Sequence, residues 1–336
     1  MFPVPRHRRA ALAAALALGA LAPGAAHAAD PVRPATEVIA EVGGSANATK
    51  LYLHGTRGAD TVNVHGATWN GTPAIMIRSA GAIRAGHGCV DPWFTDDVYC
   101  EYRDKVVVNL YEGSDALLAY GSARASTLEV WGGPGNDNLH VQAGGPRPAI
   151  LLGGNEDDRL VGSTGQEGLF GGPGNDVIRP GGGPDHVDGG HGAFDGSPFI
   201  RAYTDNDAEC AARTDGWWDR YDDAGATGAE GVDTLDLSDL GEGALADINH
   251  CRVGWFDNDV PAFVHAMEHV IGTRFNDRLV GDHERNTLRG GAGRDWLTGE
   301  GAADLIEAQD GETDTVKCSV GGDLLRIDAV DQKLGC

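Results

Sequence analysis

Residues 153–179 read GGNEDDRLV, GSTGQEGLF and GGPGNDVIR, nonapeptides set end to end, and their alignment decides the fold. PGGGPDHVD from Pro180 and GGHGAFDGS from Gly189 continue the series, and an earlier copy, GGPGNDNLH, starts at Gly132. A second array opens at Gly272 with GTRFNDRLV, GDHERNTLR, GGAGRDWLT, GEGAADLIE and the degenerate AQDGETDTV. GAEGVDTLD from Gly228 and GTRGADTVN from Gly55 keep the same register. The shared pattern is G-G-x-G-x-D-x-U-x, with U a large apolar residue. Self-similarity at a short fixed period is the mark of a solenoid whose units bury their apolar faces only by stacking on one another.

Each position of the unit has a physical task. The glycines open backbone routes with positive φ and let the first half turn tightly. Backbone carbonyls of that turn and the position-six carboxylate present hard oxygens, the ligand type that Ca2+ gathers in sets of roughly six to eight. The last three residues form a short strand with U pointing inward: Leu160, Leu169, Ile178 and Val187 in one array, Leu279, Leu288, Leu297 and Ile306 in the other. A flexible Gly-rich linker would account for glycine and charge. It would not account for an apolar residue at position eight in register with an acid at position six. The expected fold class is therefore all-β: a parallel β-roll, or β-solenoid, with an N-terminal region of irregular strands.

The nonapeptides resemble the RTX, or haemolysin-type, calcium-binding repeats, and the chain is similar to exported bacterial calcium-binding proteins that carry them. GVDTLDLS with MEHVIGTRFNDRLVGD resembles the joint that precedes such a repeat block, GHGCVDPWFTDDVYC a disulfide-closed hairpin, and QDGETDTVKCSVGGDLLRIDAVDQKLGC a closing segment. The resemblance implies two nonapeptides per coil, with Ca2+ held between a turn and the turn two units later. Residue by residue it pairs Asp137 with Asp158, Asp158 with Asp176, Asp277 with Asp295, and Asp295 with a ligand near Asp314. On the opposite edge it pairs Glu167 with Asp185 and Asn286 with Asp304. Glu167 and Asn286 depart from Asp, Phe194 takes position six of its unit, and Glu156 and Glu284 replace the fourth-position glycine.

Fifty Asp and Glu against 26 Lys and Arg give a net charge of -24, which excludes the basic footprint a nucleic acid needs. Arg6, Arg8 and Arg9 precede a short apolar run, Ala10 to Leu21, and Ala26-His27-Ala28 follows, the pattern of an export signal cleaved after Ala28. That run is too short to span a bilayer and no other is continuously apolar, so the mature chain is expected to be secreted, with no membrane span. Six cysteines then suggest disulfides rather than thiol chemistry. Several pairings satisfy the count; proximity in sequence favours Cys89 with Cys100, Cys210 with Cys251, and Cys318 with Cys336.

His265-Ala266-Met267-Glu268-His269 matches the H-x-x-E-H string of zinc peptidases. Pro261 before it and the nonapeptide at Gly272 leave too little room for the helix that chemistry needs, so a strand is expected instead. DNDAECAARTDG from Asp205 lacks the sixth-position glycine and the final Glu of an EF-hand loop. Tyr203, Trp217, Trp218 and Tyr221 stand among carboxylates and either cover an end of the solenoid or form a sugar platform. The expected order is a signal peptide (1–28), an N-terminal β region (29–131), a first roll (132–195), an insertion (196–227), a joining segment (228–271), a second roll (272–316) and a cap (317–336). The expected function is extracellular Ca2+ binding that drives folding, in adhesion, matrix or cell-surface roles, with an extracellular polysaccharide or cell-surface component as a candidate partner. A polysaccharide lyase or epimerase is the competing class; too little chain lies outside the repeats for a separate catalytic domain.

Overall fold

The computed structural model describes residues 37–43, 50–92, 96–121, 127–142, 148–183, 185–190, 232–250, 252–255, 258–265, 267–319 and 321–336. The expected signal peptide, the Trp217 segment, the EF-hand-like string and the Cys210–Cys251 pair lie outside them. The described chain is almost entirely β, and one 3-10 turn, Ile248–His250, interrupts the strands.

Strands fall alternately into two sheets, so that two units make one coil. In one sheet Thr61–Trp69, Ala116–Tyr120, Asn138–Val141, Arg159–Val161, Val177–Arg179, Thr234–Asp236, His269–Ile271, Thr287–Arg289, Leu305–Ala308 and Leu324–Ile327 run parallel in that spatial order. Their register places Val62, Leu117, Leu139, Leu160, Ile178, Leu235, Val270, Leu288 and Ile306 in one column, each no more than 2% exposed. The alternation of strand side chains sends this position inward and its neighbours to the surface. Because every coil repeats the choice, one apolar file forms the core.

The facing sheet begins with Lys50–His54, Lys105–Asn109, Thr127–Pro134, Ala149–Asn155, Glu167–Phe170 and His186–Asp188, again parallel. Parallel coil strands therefore start at residue 50, among antiparallel pieces such as the hairpin of Thr61–Trp69 with Thr72–Ser79. Asn70 and Gly71 at its tip both have positive φ, 49° and 78°, the backbone a tight hairpin turn requires. Further along, Ala244–Asp247, Arg252–Trp255 and Asn258–His265 pair antiparallel before the parallel order resumes at Arg278–Val280. Val177–Arg179 pairs directly with Thr234–Asp236 and His186–Asp188 with Asn258–His265, so each sheet resumes its parallel order beyond residues 191–231.

Disulfides join Cys89 to Cys100 and Cys318 to Cys336. The second lies where the roll ends, beside the paired strands Thr315–Lys317 and Gln332–Leu334, with Leu324 60% and Leu334 42% exposed. A terminal coil has no neighbour beyond it, and closing a loop of this size stabilises by about 3 kcal/mol. The Cys318→Ser/Cys336→Ser variant is therefore expected to lose hydrogen-exchange protection over residues 315–334 first. Unchanged protection there would show that the cross-link is dispensable.

Candidate metal sites along the turn edges

The turns on each edge of the roll bring the position-six residues into ladders. Asp115 donates its N–H to Asp137 Oδ1 at 2.7 Å, Asp137 to Asp158 at 2.7 Å, Asp158 to Asp176 at 2.7 Å and Asp176 to Asp233 at 2.8 Å. The second array repeats the link from Asp277 to Asp295 and from Asp295 to Asp314, both 2.8 Å. On the opposite edges Glu167 donates to Asp185 and Asn286 to Asp304, each at 2.9 Å. Every pair expected from the sequence is thus a pair of neighbours on adjacent coils, and each of these side chains is no more than 3% exposed.

In seven of these acids one carboxylate oxygen serves the ladder and the other has no partner. Buried Oδ2 atoms without a hydrogen bond occur on Asp115, Asp137, Asp158, Asp176, Asp295, Asp304 and Asp314. An orphaned buried polar atom costs about 1–3 kcal/mol, and more when charged. Burial accordingly pushes Asp158 up to about 9 and Asp115, Asp137, Asp176 and Asp295 to about 7, with neighbouring carboxylates adding to the rise. Asp304 and Asp314 rise to about 6 for the same reason. Asp185 is raised by burial and by Glu167 beside it.

Position-one glycines show where the spare oxygens lie. A methyl on Gly171 would collide with Asp176 Oδ2 of its own turn and with the carbonyl of Gly189 on the next coil. Gly132 and Gly153 repeat this with Asp137 and Gly153, and with Asp158 and Gly171. Glycine at position one therefore makes room, a role distinct from the positive φ expected of it. Positive φ belongs to positions two and four, as at Gly154 (127°) and Glu156 (72°). Oxygens from two coils close on one point, and both are hard donors of the type Ca2+ takes. Among the described residues no three His, Cys, Asp or Glu side chains converge as metal ligands, so carbonyls must make up most of any coordination sphere here.

The comparisons with known proteins bear on these turns. The RTX calcium-binding nonapeptide repeat matches in four copies, at residues 152–187, 170–193, 271–306 and 284–312. The chain carries RTX repeats. No curated protein matches it. The RTX matches include the orphaned acids Asp158, Asp176, Asp295 and Asp304, while Asp115, Asp137 and Asp314 lie outside them, and the two-strand coil is the β-roll the repeat builds.

Not all expected ligands are alike. Asp277 accepts the N–H of Thr273 at 2.6 Å and its hydroxyl at 2.9 Å. Glu167 accepts the Ser163 hydroxyl at 2.7 Å. Asn286 accepts the Asp282 N–H at 2.8 Å with Oδ1, and its buried, unpartnered atom is the amide nitrogen, a donor that no cation accepts. Asp157, beside Asp158, is exposed, and its carboxylate accepts the backbone N–H and the side-chain amide of Asn175, both at 2.9 Å, which lowers its pKa.

Other ladder members were not expected. Asp60 and Asp233 sit at position six of units whose register was readable. Asp115 follows Leu110 and Tyr111, which replace both leading glycines; Gly113, Asp115 and Leu117 still keep positions four, six and eight, and Tyr111 (73°) and Gly113 (137°) keep the positive φ. Glu268 accepts the Asp233 N–H at 2.7 Å, so the acid of the H-x-x-E-H string occupies a ladder position on the approach to the strand His269–Ile271. Asp323 and Asp331 accept from Asp304 at 3.3 Å and Asp314 at 3.0 Å.

Proposed function

We propose that the protein is a secreted calcium-binding structural protein, acting by binding rather than catalysis, whose roll becomes ordered and stiff when Ca2+ occupies its turn edges at the cell surface or in its matrix. The single observation that carries this reading is the row of buried, unpartnered carboxylate oxygens on Asp115, Asp137, Asp158, Asp176, Asp295, Asp304 and Asp314. A divalent cation between adjacent coils would take such an oxygen together with turn carbonyls and neutralise the ladder's repulsion. Because those oxygens converge only in the folded roll, binding energy becomes folding energy.

Export is supported by the leader-like N-terminus and by the Cys89–Cys100 and Cys318–Cys336 disulfides, which persist in oxidising compartments. Among the described residues no helix is long and apolar enough to cross a membrane. Calorimetric titration of chelator-stripped protein is expected to reveal several Ca2+ ions per chain and no comparable uptake of Mg2+, which holds its water and demands tighter octahedral geometry. Absence of calcium uptake would refute the reading.

A further inference from the structure

Two kinds of turn occur along the ladders, and the residue at position two separates them. At Thr56, Ser163, Thr273 and Ser319 the position-two N–H turns onto the position-six carboxylate of its own unit, at 2.6, 3.2, 2.6 and 2.9 Å. Each hydroxyl adds a bond to the same carboxylate, at 3.2, 2.7, 2.9 and 3.3 Å. None of these residues has positive φ. In glycine turns φ is positive and the N–H points to the next coil instead, as Gly154 does to Gly171 O at 3.0 Å and Gly172 to Gly189 O at 2.9 Å. Their carboxylates receive nothing from position two.

The hydrogen-bond accounting divides along the same line with two exceptions: Asp185 follows Gly181 (φ 81°) yet has no orphaned oxygen, and Asp314 has one although Asp310, four residues before it, lacks positive φ. Every orphaned acid oxygen, on Asp115, Asp137, Asp158, Asp176, Asp295, Asp304 and Asp314, belongs to a unit without Ser or Thr at position two. Asp60, Glu167, Asp277 and Asp323, the acids that face Thr56, Ser163, Thr273 and Ser319, have no orphaned oxygen. Burial alone does not explain the division, since Asp277 (1% exposed) and Glu167 (0%) are as buried as Asp158 (2%).

We propose that position two decides which turns take a cation: glycine and other positive-φ residues build turns that are incomplete without one, whereas Ser and Thr build turns whose carboxylate is already satisfied by the chain itself. The N–H and hydroxyl of Thr273 do for Asp277 what a cation does for Asp295. The placement gives this a consequence. Asp60, Glu167 and Asp277 each open a run of ladder acids, and Asp323 closes one. Self-completed turns therefore hold one end of each run in the absence of metal, and calcium-driven order spreads from them across the remaining turns.

The assignment of cation-taking turns rests on the calcium reading; the self-completed turns stand on their own hydrogen bonds. Two measurements on the full chain test them separately. In chelator, hydrogen exchange over residues 273–277 is expected to be about tenfold slower than over 291–295, and Thr273→Val is expected to abolish the difference. In calcium titrations Asp295→Asn is expected to lower the ion count by at least one, and Asp277→Asn to leave it unchanged. Equal exchange of the two turns in chelator, or equal calcium loss in the two Asn variants, would overturn the proposal while leaving calcium binding intact. A wild-type chain that takes up no calcium would instead refute the calcium reading.

Discussion

Asp158→Ala is expected to remove at least one calcium ion and to raise the calcium concentration at the folding midpoint by about tenfold, whereas Asp157→Ala should change neither measurably. The two residues are adjacent and carry the same charge, so any relief of general repulsion cancels between the variants. Their surroundings do not cancel. Asp158 is 2% exposed, accepts the Asp137 N–H at 2.7 Å and holds an orphaned Oδ2. Its loss deletes a cation ligand and strands a buried donor, the latter costing about 1–3 kcal/mol. Asp157 loses an exposed link to Asn175 on the next coil, a contact that calcium does not enter. Calorimetric titration of both variants checks this, and equal responses would mean that the acidity acts as a diffuse field.

Calcium-free protein should respond to pH in the opposite sense to a salt-bridged one. The ladder acids have folded-state values raised by burial, Asp158 to about 9, Asp233 to about 8 and Asp137, Asp176 and Asp295 to about 7. In the unfolded chain they titrate near 3.9. The folded state binds more protons between those limits, so the stability they contribute is full below about pH 4 and is lost as pH rises through 7 to 9. Protons then stand in for calcium, neutralising the same oxygens. In chelator the roll is expected to be more ordered at pH 5 than at pH 8.5, and calcium addition near neutrality should release protons. A chelated chain that gains order as pH rises would contradict this.

Much of the roll was legible because its information is periodic. Leu160, Ile178, Leu297 and Ile306 return at position eight in step with acids at position six, and two-strand coils follow from that register. The antiparallel excursion through Ala244–Asp247 and Arg252–Trp255 carries no such period, and nothing local in it announces the change of direction. Leu110 and Tyr111, in place of both leading glycines, leave only Gly113, Asp115 and Leu117 to mark the unit that presents Asp115, because a side chain that tolerates positive φ under tertiary packing does not itself announce the turn. The role of Thr273 and Ser163 escaped for a related reason. A hydroxyl in the slot of a glycine reads as a weak repeat until the structure places it on the carboxylate of Asp277 or Glu167.

Calcium as the agent that completes the fold is tested most directly by far-ultraviolet circular dichroism of the full chain, stripped with EDTA at neutral pH and then titrated with Ca2+. The β signal is expected to fall to a residual level on stripping, to return cooperatively with calcium, and to be accompanied by a large rise in Tm. A chain with the same spectrum and the same Tm in EDTA and in saturating calcium would contradict the account.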